Sequence, residues 1–205
     1  TGLAVKGGEQ PAPTLAPNGA ARVPYTTLVL TAGNDGDVTV TGLTVERTGL
    51  AADAAFAEVV LLDENDNQIG IAKTLNSDHR AVVGDTLTVP KGKSRMLKLA
   101  GNMAADNSTR AGQVAFLSLV GVNTSATVSG SLPITGAGHT INASLAIGSV
   151  TMQRGTVDPG ASQTKEVGTT GYTFSSVKVT AGSAEKVYLK SIRWNQTGSV
   201  SGKDF

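Results

Sequence analysis

The chain has 205 residues, of which 40% are hydrophobic and 16% are charged. This is enough apolar material for a packed core and too little net charge for a disordered polymer. The formal net charge is +1, no basic cluster is evident and aromatic residues make up only 4%, so the composition argues against nucleic-acid binding. The lack of cysteine excludes a disulfide framework, and no apolar run of about 18 residues suggests a transmembrane segment in this chain.

The residue mixture favours β-structure from the first residues onward. Thr and Val suit the pleated surface of a strand, and Gly, Asn and Asp are typical of the turns between strands. Long amphipathic helical windows are missing, and the Ala-rich stretch 49–60 is the best candidate for one or two helical turns. The chain opens on a strand-like segment without a basic start, so we expect that any signal peptide was removed or lies outside it.

An internal repeat links two parts of the chain. Residues 25–56 align without a gap to residues 174–205 at a constant shift, and residues 2–6 correspond to 149–153. Each copy has alternating apolar residues before and after a Thr-Ala-Gly turn. The sequence therefore predicts one complete repeat at 1–147, followed by the N-terminal part of a second, incomplete repeat at 148–205.

After the Thr-Ala-Gly turn the apolar alternation changes phase. The apolar positions of 38–40 and 43–45 have opposite parity, so the change falls at Thr41-Gly42. The second copy makes the same change at Lys190-Ser191. Because side chains alternate with period 2 along a strand, such a phase change predicts one extra residue, that is, a β-bulge.

Further short strands follow the first copy of the repeat. The segment 113–120 is nearly continuously apolar and predicts a central strand. Together, about eight to ten short strands with turns between them predict an all-β fold, an Ig-like Greek-key β-sandwich. The remaining expected strands are 58–63 and 68–73, which form a hairpin, and 85–89, 94–99, 126–132 and 140–147.

Several motifs carry a resemblance to a known family. They are the Thr-Ala-Gly turn, the strand 38–45, the hairpin Leu61-Leu62-Asp63 and the strands around Thr88–Gly92 and Val128–Gly130. Together they resemble the tandem Ig-like repeats of large bacterial surface proteins, found in surface layers (S-layers) and surface filaments. The resemblance implies a secreted, extracellular, cell-surface protein that self-associates, and it supplies no catalytic residues.

Three functions follow from this interpretation. The first is a structural coat of the S-layer kind, which is not an enzyme and whose partners are copies of itself and the cell wall or envelope. The second is a self-assembling filament or pilus-like subunit, in which a strand such as Thr1–Lys6 is donated to a neighbour. The third is an adhesin or carbohydrate-binding module, against which the low aromatic content speaks.

The run of acidic and amide residues at 63–67 is the sharpest candidate site. It begins like an EF-hand loop, but Gln68 stands where that loop requires Gly and Thr74 where it requires a bidentate Glu. The preferred interpretation is a solvated hairpin tip, and a calcium site is the alternative. No other cofactor is expected. The candidate calcium ligands are Asp63, Asn65, Asp66 and Asn67.

The two histidines and the single tryptophan are also assigned from their context. His79 and His139 lie beside turn or strand residues without a metal-ligand pattern, so we expect both at the surface. Trp194 aligns with Val45, a position of the apolar face, and is expected in the core of the second repeat.

Overall fold

The computed structural model divides the chain into two compact units. Unit 1 is Thr1–Ile147 and unit 2 is Gly148–Phe205. Both contain β-strands. The residues that the structure describes are 1–145, 147–160, 162–189, 191–199 and 201–202.

Between residues 1 and 199, helical structure in the described residues is limited to two 3₁₀ turns, at Asp53–Ala55 and Ser108–Arg110. The Ala-rich stretch 49–60 therefore forms one such turn and then continues directly into a strand. None of the helical segments in the described part of the chain is long and apolar enough to cross a membrane.

The strands of unit 1 form two sheets. In chain order they are β1 (Gly2–Gly7), β2 (Leu15–Pro17), β3 (Val23–Ala32), β4 (Val38–Gly49), β5 (Phe56–Leu62), β6 (Gln68–Lys73), β7 (Arg80–Val83), β8 (Leu87–Val89), β9 (Ser94–Met103), β10 (Val114–Thr124), β11 (Thr127–Ser129), β12 (Ile134–Thr135) and β13 (His139–Asn142). The first sheet has the order β11-β1-β3-β9-β5-β6, and the second has the order β2-β13-β10-β4-β7. In the second sheet β8 also pairs with β4, and β12 with β10.

One hydrophobic core lies between the two sheets. Alternate residues of each strand point inward, because successive side chains of a strand face opposite sides of the sheet. The predicted central strand is β10, which lies between β13 and β4. Core residues from the first sheet include Leu28, Leu30 and Leu97, and those from the second include Val45, Leu117 and Leu119.

The predicted β-bulge in the first copy is confirmed. On β4, Gly42 pairs with Asn123 and Val40 pairs with Thr124, so Thr41 has no partner of its own on β10. At this point β4 also changes its second neighbour, from β8 to β7. The extra residue keeps the apolar residues on both sides of the bulge directed at the core.

Three of the expected strands differ in detail. The segments at 85–89 and 94–99 are β8 and β9, which belong to different sheets, so the chain crosses the core between them. The strand expected at 140–147 ends at Asn142, whose side-chain Oδ1 accepts the backbone N–H groups of Ser144 at 2.9 Å and Leu145 at 2.7 Å. This local turn supplies hydrogen bonds that a longer strand would need from a neighbour.

Unit 2 contains one antiparallel pair, β14 (Val150–Arg154) and β15 (Val177–Ala181). The expected second strand of this copy does not form: the described residues of 182–202 contain no strand. The predicted phase change at Lys190-Ser191 and the pair of Phe56 with Phe205 fall partly on Lys190 and Phe205, which lie outside the described residues. In unit 1 the aligned strand β4 is held by β7, β8 and β10, and strands without such partners are unstable.

Candidate functional site

The turn between β5 and β6 is held together by Asp63. Its Oδ1 accepts the backbone N–H groups of Asn65 at 2.8 Å and Asn67 at 2.9 Å, and its Oδ2 accepts the Asn67 side-chain amide at 3.2 Å. The backbone N–H of Asn67 is the main cause that holds the pKa of Asp63 below its ordinary value. The carboxylate therefore acts as an internal cap of the turn.

The other two carboxylates of this turn are paired with cations of β9. Glu64 accepts hydrogen bonds from Nε and Nη2 of Arg95, the latter at 3.0 Å, and Asp66 accepts one from Lys98 Nζ at 2.6 Å. The hydrogen bond from Arg95 is the main cause that lowers the pKa of Glu64. The turn is thus fastened to the neighbouring strand by two ion pairs.

The residues predicted as calcium ligands lie together in this turn, but their polar atoms are already engaged. Asn67 directs its amide nitrogen at Asp63, and Asp66 faces Lys98. Across the described ranges no group of three or more His, Asp or Glu side chains is arranged to hold a metal ion. A cation here would compete with these donors, so the contacts favour the hairpin-tip interpretation, and calcium binding stays a prediction.

A second charged cluster, absent from the sequence interpretation, joins Arg47, Asp53 and His79. Arg47 Nε donates to Asp53 Oδ1 at 2.7 Å, and His79 Nδ1 lies 2.7 Å from Asp53 Oδ2. Burial raises the pKa of Asp53, but the hydrogen bonds from His79 and Arg47 together outweigh it and lower the pKa. No spacing rule could reveal this cluster, because its members come from β4, a 3₁₀ turn and the loop before β7.

The expectation that both histidines lie at the surface is wrong for His139. His79 is exposed, whereas His139 is buried with its ring 4.5 Å from the ring of Tyr25. Its Nδ1 accepts the backbone N–H of Thr14 at 3.1 Å, and its Nε2 donates to the carbonyl of Pro24 at 2.8 Å. His139 of β13 therefore joins the segment at Thr14 through one ring nitrogen and strand β3 through the other.

The hairpin of unit 2 has the same register as the first hairpin of unit 1. β14 aligns with β1 and β15 with β3, and both pairs are antiparallel. Each residue pair across β14 and β15 corresponds, in the sequence alignment, to a residue pair across β1 and β3. The pairs Leu3/Ala32, Ala4/Thr31 and Val5/Leu30 of unit 1 correspond to Val150/Ala181, Thr151/Thr180 and Met152/Val179 of unit 2.

The hydrogen bonds that close the two hairpins also correspond. At one end of each ladder, the glycine of the Thr-Ala-Gly turn donates its backbone N–H to a residue at or just before the start of the first strand of the pair. At the other end, a glycine near the end of that first strand donates its backbone N–H to the partner segment. The bonds are Gly33 to Gly2 at 2.9 Å and Gly8 to Thr27 at 2.9 Å in unit 1, and Gly182 to Ser149 at 2.7 Å and Gly155 to Ser176 at 2.9 Å in unit 2.

A side chain beyond each closing glycine ties the following loop back to the same position. In unit 1, Gln10 Oε1 accepts the backbone N–H of Thr27 at 2.9 Å. In unit 2, Asp158 Oδ2 accepts the backbone N–H of the aligned Ser176 at 2.8 Å, the main cause of the lowered pKa of Asp158. Different residues thus satisfy the same donor in the two units.

The apolar positions of the two hairpins differ in burial. The prediction that Trp194 is a core residue is wrong, because the strands that cover its counterpart in unit 1 have no equivalent among the described residues of unit 2. Aligned pairs, with their exposed fractions in unit 1 and unit 2, are Val5 and Met152 (3% and 59%), Leu30 and Val179 (0% and 36%), and Val45 and Trp194 (1% and 59%).

One edge of β15 has no neighbouring strand within the described residues. Backbone groups of successive strand residues point to opposite edges. Ser176 and Gly182, at even-numbered positions, bond toward β14. The N–H and C=O groups of Val177, Val179 and Ala181 therefore point to the uncovered edge, which in β3 is occupied by β9.

Two clefts of unit 2 share Phe174 in their walls. The larger, about 960 Å³, is lined by residues of 159–160, 162–163 and 165–172, and the smaller, about 410 Å³, borders Met152 and Val177. The residue aligned with Phe174 is Tyr25, whose side chain is fully buried in the core of unit 1. Phe174 thus lines clefts at the surface of unit 2, whereas its counterpart in unit 1 is part of the core.

Comparison with known proteins adds little to this geometry. No family model matches the sequence, and no curated protein matches it. Among solved structures, the chain is similar to a family 123 glycoside hydrolase from Clostridium perfringens, at 10% identity and a TM-score of 0.35. The match covers 65% of this chain and 23% of the enzyme, and a likeness this weak carries no argument about function.

Proposed function

We propose that this chain is a non-catalytic structural protein of the cell surface, a coat of the S-layer kind built from tandem Ig-like β-sandwiches. On this proposal unit 1 is a complete Greek-key repeat, and unit 2 is the beginning of a second repeat. The protein acts outside the cell by self-association into a lattice and by contact with the wall or envelope.

The observation that carries the proposal is the shared register of the two hairpins. A hairpin of two short strands can pair in several registers, and a slip of one residue exchanges its two faces. Unit 2 nevertheless has the residue pairs of unit 1, the same closing glycines and the same loop tie to the position of Thr27. This agreement supports a modular chain in which one structural plan is used twice.

The charged and polar clusters of unit 1 support a structural role rather than a catalytic one. Asp63, Glu64 and Asp66 are engaged by a turn and by β9, and Asp53 is engaged by Arg47 and His79. A general base needs a nitrogen or oxygen that can reach a substrate. Buried His139 uses both ring nitrogens within the fold.

A filament subunit is the second candidate, and the uncovered edge of β15 favours it. An open strand edge pairs readily with another chain, as in strand donation. The donor expected from the sequence, Thr1–Lys6, corresponds to β1, which lies between β3 and β11 with Leu3 and Val5 buried. That strand would have to leave its own sheet to be donated, so a different donor is required.

Electron microscopy of the purified chain, combined with sedimentation velocity, tests the proposal. We expect ordered two-dimensional arrays or sheets that grow with protein concentration. Protease treatment of intact source cells should also remove the protein, because a coat is accessible from outside. Isolated fibres would support the filament instead, and a monomer at every concentration would contradict both candidates.

A further inference from the structure

The uncovered edge of β15 has a counterpart in unit 1 whose neighbour is known. There, β9 runs antiparallel to β3, with Leu97 opposite Leu28 and Arg95 opposite Leu30. The Ala32 N–H, on the edge of β3 that faces β9, donates to the carbonyl of Lys93 at 3.0 Å. The position aligned with Ala32 is Ala181, which lies on the open edge of β15.

We propose that this open edge of β15 binds an antiparallel strand with the side-chain pattern of β9, supplied by a further copy of the repeat. The inference rests on the repeat relation in the proposed function. It adds to that proposal the edge that binds, the direction of the partner strand and its chemistry. Such a strand would cover the exposed apolar residues of the hairpin and satisfy its outward backbone groups.

The side chains that would meet across the new ladder are compatible. By the register of unit 1, an apolar residue equivalent to Leu97 would face Val177, and Met96 would face Lys178. Neither basic residue of β9 would lie opposite Lys178, so like charges are not paired directly. On the inner face, the residue equivalent to Leu97 would extend the apolar row at Val177, and the residue equivalent to Arg95 would lie opposite Val179.

A ten-residue peptide with the sequence of β9, Ser94–Met103, is a direct probe for the whole chain. We expect saturable binding in fluorescence anisotropy with a labelled peptide. Amide exchange of Val177 and Val179 should slow by about tenfold or more at saturation, because their N–H groups gain acceptors. A control peptide carrying Leu97→Asp and Leu99→Asp should not bind.

A matched pair of proline variants tests the edge itself. Val179→Pro removes an N–H that points to the open edge and leaves the bonds to β14 in place, so peptide binding should fall by about tenfold or more. Thr180→Pro removes an N–H that points to β14 and should disrupt the hairpin. Exchange of the Lys178 amide, which faces β14, reports whether the hairpin is intact in each variant.

The outcomes separate this inference from the proposed function. Failure of the β9 peptide to bind, or equal binding by wild type and Val179→Pro, would overturn the inference even if arrays form. Peptide binding without arrays would support the inference and contradict the coat. Self-association that Val179→Pro abolishes would support the inference and identify a second copy of the chain as the strand donor.

Discussion

Three aspartates of the described residues accept backbone N–H groups at turns. Asp63 caps the β5–β6 turn, Asp106 accepts the N–H of Ser108 at 2.9 Å, and Asp158 ties a loop of unit 2 to β15. In all three the main cause of the lowered pKa is a backbone hydrogen bond. These carboxylates therefore fix the backbone geometry of their turns. The amino-acid composition of a turn does not by itself reveal which backbone groups they bind.

Asp53 should make the stability of unit 1 dependent on pH. Its pKa in the folded chain is lowered from the ordinary 3.8, so its contribution is present above that value and is lost as pH falls through the lowered pKa. Asp53→Asn should therefore lower the melting temperature near neutral pH, and the difference from wild type should shrink in acid. Thermal unfolding followed by circular dichroism measures both.

The control for this experiment is Asp78→Asn, a change at an exposed aspartate in the neighbouring turn. It alters the same charge without touching Arg47 or the 3₁₀ turn at Asp53–Ala55, and should change the melting temperature little. If Asp53→Asn lowers the melting temperature by the same amount at neutral and acidic pH, the charge of the carboxylate is not the cause of the loss.

Among the elements, those set by local alternation were predictable and those set by distant pairing were not. The phase change at Thr41 locates the bulge of β4, and the apolar run at 113–120 locates the central strand. Alternation indicates which side chains point inward but not which sheet a strand joins. The sequence therefore could not predict that β8 and β9 belong to different sheets. The parallel pairs β1–β11 and β2–β13 join residues more than 100 positions apart and leave no local signal.

The candidate site was predictable only in part. The alignment located the two strands of the unit 2 hairpin, since their apolar pattern repeats that of residues 2–6 and the strand before the Thr-Ala-Gly turn. It could not predict that Trp194 and Met152 are exposed, because burial depends on partner strands and not on a residue's own pattern. For the same reason the alignment could not predict that the described part of 182–202 forms no strand.

Deletion of Thr41 should destabilise unit 1 strongly. Without the extra residue, the apolar residues on one side of the bulge, such as Leu43 and Val45, would turn away from the core. Two displaced side chains at about 1.5–3 kcal/mol each imply a loss of at least about 3 kcal/mol in the free energy of unfolding. Urea denaturation followed by circular dichroism measures this loss.

A deletion of Ser131 is the matched control for that variant. This exposed residue lies in the connection between β11 and β12, where loss of one residue changes no core register. It should shift the urea midpoint far less than deletion of Thr41. Equal midpoints for the two deletions would contradict the role assigned to the bulge.

Across the whole molecule, unit 1 is self-sufficient in its core. All members of the main core cluster in the described residues lie between Leu3 and Ile141. The last strand of unit 1, β13, ends at Asn142, and the unit itself ends at Ile147. The elements that bury the apolar face of unit 1 are therefore all present before unit 2 begins.

A chain truncated after Ile147 should fold and unfold in one cooperative transition. Its melting temperature should lie close to the main transition of the full chain, since it keeps both sheets of unit 1. A truncation after Thr124 is the contrasting variant and should not fold cooperatively, because it removes β11, β12 and β13 and with them buried His139 and Ile141. Calorimetry that showed the 1–147 chain to be unfolded would contradict the division into units.

The two parallel pairs of unit 1 also determine how it responds to a mechanical pull. β1 and β2, where the chain enters the unit, lie parallel to β11 and β13, near where it leaves. A force applied between the entering and leaving ends therefore acts along these strands in opposite directions. The hydrogen bonds of each pair are then loaded together in shear and cannot break one after another. This shear geometry gives the greatest resistance to mechanical unfolding.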